Sequence, residues 1–167
     1  MILSFDPGTN KIGAAALDLQ NGLIKLIDSQ QVPLGKTKRP EFRLRNLQIF
    51  AEEYMSKFSN VTSIALEKTF VQPLDKRNKS KNITIDAPLK LSMSRGIIYA
   101  AAGAHNLLIT EYQPTIIKRT VTGDAKANKH MIIRAVGKIF KKDFQEDEAD
   151  AIAIGIHHLS SLKMRDS

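Results

Sequence analysis

The chain has 167 residues, 43% of them apolar, with 25 lysines and arginines against 17 acids and no cysteine. That length suits one compact domain with its own core, and the lack of cysteine excludes disulfides and thiolate metal sites, so any metal needs oxygen or histidine ligands; the composition suits a reducing cytoplasm. The net charge of +8 and the pI near 9.7 suit a polyanionic partner such as nucleic acid, although solubility alone also accounts for a basic surface.

The N-terminus, Met1-Ile2-Leu3-Ser4-Phe5-Asp6, reads as a strand that starts at once and lacks the basic and long apolar regions of a signal peptide. No run of eighteen apolar residues follows, so no membrane span is expected. A turn at Pro7 to Asn10 leads to a second strand over Ile12–Leu19. Asn21-Gly22 is a hairpin signal of the type I′ kind, and a third strand alternates over Leu23–Gln30. A basic loop over 31–40 carries Lys36, Lys38 and Arg39. The helix expected over Glu41–Phe58 has an apolar stripe of Phe42, Leu44, Leu47, Phe50, Ala51, Tyr54 and Phe58. Val61–Glu67 reads as a buried strand ending in a carboxylate. Residues 71–86, rich in Lys and Asn, have no apolar period and read as a loop. A helix over Ala87–His105, a strand over Leu108–Tyr112 and a short helical turn over Thr115–Val121 follow, with Gly123 as its breaker. Two last helices cover Asn128–Phe140 and Glu146–Leu162. There is no internal repeat and no sign of a second domain across 1–167.

Three antiparallel strands followed by alternating helices and strands is the order of an α/β domain of RNase H-like fold, a mixed five-stranded sheet flanked by helices. Its chemistry would rest on carboxylates. Asp6 ends the first strand, Glu67 ends the fourth, and Asp147 and Asp150 share one face at the start of the last helix. If the first and fourth strands are neighbours, Asp6 and Glu67 lie side by side, and the start of that helix can pack against them. Such acids repel one another unless cations sit between them. Hard oxygen ligands suit Mg²⁺ or Mn²⁺, and two such ions ~4 Å apart can drive phosphodiester hydrolysis. Each residue also has a plain structural reading: Asp before Pro-Gly as a turn residue, Asp147 and Asp150 as complements to a helix dipole, Glu67 as the partner of a lysine. Lys118, Arg119, Lys126, Lys129, Arg134 and Lys138 crowd a region whose acid is Asp124, a pattern that supplies phosphate contacts.

Several segments resemble one known family in its own order. Ile2-Leu3-Ser4-Phe5-Asp6-Pro7-Gly8-Thr9, with Gly13 a few residues on, is similar to the opening of RuvC Holliday junction resolvases. Leu66-Glu67-Lys68-Thr69-Phe70 resembles their Glu-x-x-Phe segment. Ser94-Arg95-Gly96 sits where the family has an Ala-Arg-Gly helix start. Ile117-Lys118-Arg119-Thr120-Val121-Thr122-Gly123 resembles a Val-Lys-x-x-Val-x-Gly run, and Asp147-Glu148-Ala149-Asp150-Ala151-Ile152-Ala153-Ile154 resembles the closing motif. The resemblance implies a homodimer that cuts four-way DNA junctions by two symmetric nicks. It implies Asp6, Glu67, Asp147 and Asp150 as ligands of two Mg²⁺ ions, Lys118 and Lys129 near the scissile phosphate, and Phe70 as an aromatic that stacks or wedges at the junction centre. In this family the helix carrying Gly96, Ala100, Gly103 and Ala104 lies at the dimer interface; packing on the protein's own sheet is the alternative.

The chain departs from the bacterial pattern between Phe70 and Arg95, where it is longer and carries Lys76, Arg77, Lys79 and Lys81. These are expected to track a DNA arm, with Arg119 as a further phosphate contact. Three other readings compete: an RNase H-like nuclease acting on other branched DNA or on RNA, an ATP-binding domain of the actin and sugar-kinase superfamily, and a non-catalytic DNA-binding module. The second needs another lobe for which the chain has no room. The third leaves acids near DNA unexplained.

Overall fold

The computed structural model describes residues 1–37, 39–69 and 86–165. Its elements are β1 (Ile2–Pro7), β2 (Lys11–Gln20), β3 (Leu23–Pro33), α1 (Pro40–Ser56), β4 (Ser63–Glu67), α2 (Asp86–Ala104), β5 (Leu108–Tyr112), α3 (Pro114–Thr122), α4 (Lys129–Phe140) and α5 (Glu146–Arg165). The five strands form one sheet in the order β3-β2-β1-β4-β5. β1 pairs antiparallel with β2, and β2 with β3, while β1–β4 and β4–β5 are parallel. This is the mixed α/β sheet expected from the sequence. At the β2–β3 turn, Asn21 and Gly22 take φ of 53° and 74°, the left-handed pair that a type I′ hairpin requires.

Alternation along the strands sorts side chains between two helical layers. Leu3, Phe5, Ile12, Ala14, Ile64 and Leu66 pack with Leu47, Ala51 and Tyr54 of α1 and Ile98, Ala101 and Ala102 of α2. Ile2, Ala15, Leu17 and Ala65 face the other way, onto Ala149, Ile152, Ala153 and Ile156 of α5, with Ile117 of α3 and Ile132 and Val136 of α4 beyond them. Phe5 meets Tyr54 edge-on with ring centroids 5.8 Å apart, and Tyr54 continues to Phe50 and Phe58. Full burial of a side chain such as Leu3 or Phe5 contributes about 1.5–3 kcal/mol, so the central strand is anchored from both faces.

Some expectations need correction. α1 spans Pro40–Ser56, and Phe42 of its predicted stripe is 44% exposed, with the Arg39 guanidinium over its ring rather than the core. β3 continues past Gln30 to Pro33, which shortens the predicted basic loop. Ser94-Arg95-Gly96 lies inside α2, which begins at Asp86, in line with the helix expected over Ala87–His105 and unlike the family's helix start. The small-residue row of α2 does not pack on the sheet: Gly96, Ala100, Gly103 and Ala104 are exposed, and a methyl group on Gly96 or Gly103 would meet nothing within 4 Å. Phe70, Lys76, Arg77, Lys79 and Lys81 lie outside the described residues, as does nearly all of the predicted loop at 71–86. No helix among the described residues is long and apolar enough to cross a membrane.

Candidate active site

Register carries the first two carboxylates together. Ile2 to Phe5 lie opposite Ser63 to Leu66 in parallel pairing, so the next step of each strand brings Asp6 level with Glu67. Both face α5, as the alternation of Ser4 and Ala65 requires. On the other side Asp6 pairs with Gly13, and Gly13 pairs with Gln31.

The start of α5 lies across this row. A methyl group on Gly13 would sit 1.8 Å from the Asp147 carbonyl oxygen, so a bare backbone here admits the helix. One turn on, Ser4 Oγ, fully buried, donates to the Ala151 carbonyl at 2.7 Å. Two N–H groups at this helix start have side-chain acceptors. Gln145 N donates to Glu148 Oε2 at 3.1 Å, the reaching-back half of a capping box, while Ser29 Oγ donates to Glu148 Oε1 at 2.6 Å. Asp147 N donates to Gln31 Oε1 at 3.0 Å, and Gln31 Nε2 donates to Gln145 Oε1 at 2.6 Å. Capping thus falls to Glu148 and Gln31. The side chains of Asp147 and Asp150 are not needed for it.

The four carboxylates feel one another. Burial, with the charges of Asp150, Glu67 and Asp147, pushes the Asp6 carboxyl up from 3.8 to about 7, against an opposing pull from Lys129. Burial and the Asp147 and Glu146 charges push Asp150 up to about 6, against Lys129 and Lys118. Glu67 is also raised, by burial first and then by Asp150, against Lys118, Arg95 and Lys129. Two lysines already answer the excess negative charge. Lys11 Nζ lies 2.7 Å from Asp147 Oδ2, a buried oxygen for which the contact lacks hydrogen-bond geometry, and Lys129 pairs with Glu146. Among the described residues no three carboxylate or imidazole groups already converge closely enough to hold an ion as they stand. The donor chemistry nonetheless fits a hard divalent cation: the oxygens are acidic, partly desolvated and mutually repelling, and the cations beside them are displaceable lysines.

Asp6, Glu67, Asp147, Asp150, Lys118 and Lys129 are therefore brought to one end of the sheet. Lys118 is half-buried on α3. Arg119, its neighbour, is exposed, and Arg134 and Lys138 line open grooves on the outer side of α4 instead. The basic region read as one patch is thus divided between the site and an outer face. Sequence reasoning assigned no role to Lys11, Gln31 or Glu148. Gly13 had a usable signal, a glycine inside an apolar strand, which marks close backbone approach.

Comparison with known proteins agrees with this frame. The family model described as crossover junction endodeoxyribonuclease RuvC matches residues 2–158. The chain is 32% identical over 166 residues to the protein of that name from Shewanella pealeana, covering 95% of this chain and 86% of that one. It is 30% identical over 162 residues to the one from Prochlorococcus marinus, covering 95% and 96%. In fold it is similar to Thermus thermophilus RuvC in complex with a Holliday junction substrate, with a TM-score of 0.79 at 18% identity over 98% of this chain and 96% of that one. The fowlpox virus Holliday junction resolvase is a more distant fold relative, at a TM-score of 0.53 and 17% identity over 96% and 98%.

Proposed function

The chain belongs to the RuvC family of crossover junction endodeoxyribonucleases, and from that premise we propose that it resolves four-way DNA junctions by paired symmetric nicks, through metal-dependent phosphodiester hydrolysis. The observation that carries this reading is the row in which Asp6 lies beside Glu67 beneath the start of α5, with Asp147 and Asp150 raising the Asp6 carboxyl.

Asp6, Glu67, Asp147 and Asp150 would hold Mg²⁺, two ions per site, with Mn²⁺ as an alternative. When bound, such ions supply an activated water and offset the charge of the leaving 3′ oxygen. The chain's own groups do the remaining work. The four carboxylates fix where cations can sit, and at Asp6, Glu67 and Asp150 the same crowding that favours a proton favours a cation. Lys118, close enough to lower Glu67 and Asp150, is placed to offset charge on the scissile phosphate, with Lys129 beside it. Arg119 and the segment holding Lys76, Arg77, Lys79 and Lys81 are assigned to phosphates of the DNA arms. Phe70, three residues beyond Glu67, is assigned to stacking at the open junction centre.

Two symmetric nicks need two active sites related by a two-fold axis. The exposed face of α2 supports a homodimer: Gly96 and Gly103 allow close approach, and Leu89, Met93 and Tyr99 around them are large apolar groups left in water. The chain acts in this reading as one nuclease domain over 1–167, in the cytoplasm with its DNA substrate.

A substrate panel tests the proposal: four-way junction, three-way junction, flap, duplex and RNA–DNA hybrid, each with and without Mg²⁺. Cleavage confined to the four-way junction and to Mg²⁺ is the expected result. Equal cutting of hybrid or flap would replace the junction by another substrate of the same chemistry.

A further inference from the structure

Arg95 lies on the opposite side of the sheet from the carboxylate cluster, yet it holds one of its members. The β1–β4 pairing ends at Phe5 opposite Leu66, one residue short of Glu67. The Glu67 carbonyl is taken instead by Arg95, whose Nη1 donates to it at 2.6 Å. On the other edge Lys68 N donates to the Tyr112 carbonyl at 2.7 Å. The last peptide of β4 is therefore clasped on both sides, and the Glu67 side chain projects from that clasp towards α5.

Arg95 is itself fixed. Its Nη2 pairs with Glu111 Oε1 on β5, and the Tyr99 hydroxyl, one turn along α2, donates to the same oxygen at 2.7 Å. The arginine side chain is only 11% exposed, whereas Tyr99 is 45% exposed on the outer side of α2. A guanidinium is needed for this: its planar fork engages a carbonyl and a carboxylate at once, which an ammonium does with far less definition.

We propose that Arg95, held by Glu111 and Tyr99, is a positioning residue that sets the Glu67 main chain and so aims its carboxylate at the metal site. The proposal rests on the reading of Glu67 as a metal ligand. A positioning residue of this kind acts on metal affinity through the ligand it aims. It also links the exposed face of α2 to Glu67, because Tyr99 on that face bonds the Glu111 that pairs with Arg95.

The test uses the full chain with Glu111→Gln, Arg95→Lys and Tyr99→Phe, and Glu67→Gln as reference. Two Mg²⁺ titrations are compared, one reading the rise in Tm of the protein without DNA and one reading junction cleavage. Junction binding in EDTA and circular dichroism report fold and DNA affinity. Both Mg²⁺ midpoints should rise together by roughly tenfold in Glu111→Gln and Arg95→Lys. Tyr99→Phe, which removes one hydroxyl and keeps the ring, should give a smaller rise in the same direction, and in Glu111→Gln and Arg95→Lys binding in EDTA should stay near that of the wild type. Unchanged midpoints in folded variants would overturn the proposal, as would a lower Tm with no change in Mg²⁺ response, which marks a merely structural tie. If Glu67→Gln responds to Mg²⁺ as the wild type does, the ligand reading fails and the positioning role falls with it. If Glu67→Gln loses the response and Glu111→Gln keeps it, the positioning role alone is wrong.

Discussion

Gly13 lies directly beneath the main chain of Asp147: a methyl group at position 13 would stand 1.8 Å from the Asp147 carbonyl oxygen and 2.4 Å from its carbonyl carbon. Strand β2 therefore dictates how deep the start of α5 can sit, and with it where Asp147 stands relative to Asp6.

Gly13→Ala should lift that helix end. Overpacking of this kind costs about 1–3 kcal/mol, and misplacement of a reacting group by an ångström can cost roughly a hundredfold in rate. Junction cleavage should fall far more than junction binding, with Tm lowered by several degrees. A variant that cleaves at the wild-type rate would mean α5 does not depend on this contact.

The carboxylate cluster makes a signed prediction about pH. The Asp6 carboxyl is raised in the folded protein, from 3.8 to about 7. Between those values the folded state binds more protons than the unfolded one, so this contribution to stability is full below pH 4 and is lost as pH rises through 7. A shift of that size corresponds to up to roughly 4 kcal/mol. Asp6→Asn removes the loss. Its Tm in EDTA should match the wild type near pH 4 and exceed it by roughly 5 °C or more at pH 8, while Mg²⁺ at pH 8 should raise the wild-type Tm and leave the variant unmoved. An equal Tm difference at both pH values would contradict the strained cluster.

Lys11 occupies Asp147 at 2.7 Å. If Asp147 is a metal ligand as proposed, Lys11 stands where the ion would sit, and an incoming ion has to displace it. Lys11 is 44% exposed, so solvent screens its end of the pair and holds its worth to about 1 kcal/mol; Lys11→Met should therefore shift the Mg²⁺ midpoint for thermal stabilisation downward by up to about fivefold. A midpoint that rises instead would show that Lys11 helps to hold the site rather than competing for it.

How far the site was legible follows from where each residue keeps its partner. Asp6 and Glu67 could be read because both end apolar strands, and parallel pairing of those strands leaves little choice of neighbour. Asp147 and Asp150 could be read as a pair from helical spacing. Whether they cap the helix could not, since that depended on Glu148 and Gln31 accepting from N–H groups at its start. Gln31 was hidden because polar residues at the end of β3 look like loop, whereas they are strand residues facing the start of α5. Arg95 was visible as part of a motif but not as a clasp, because its partner is a main-chain carbonyl, which leaves no mark in sequence. Phe42 fitted the helical period of α1, yet periodicity does not say that the first turn lies clear of the sheet and is covered by Arg39 instead.

The basic segment beyond Phe70 makes a prediction about salt. Each phosphate engaged contributes about 0.9 to the slope of log affinity against log salt on duplex DNA. Neutralising Lys76, Arg77, Lys79 and Lys81 together should flatten that slope for a four-way junction by roughly one unit for each phosphate that a side chain no longer neutralises. An unchanged slope would remove this segment from the DNA interface.

The role of Asp6 is tested most directly by single-turnover cleavage of an immobile four-way junction by Asp6→Asn in Mg²⁺, run beside junction binding by the same protein. Binding should stay close to that of the wild type, and cleavage should be lower by at least roughly a hundredfold. Cleavage at the wild-type rate would contradict the place of Asp6 at the centre of the site.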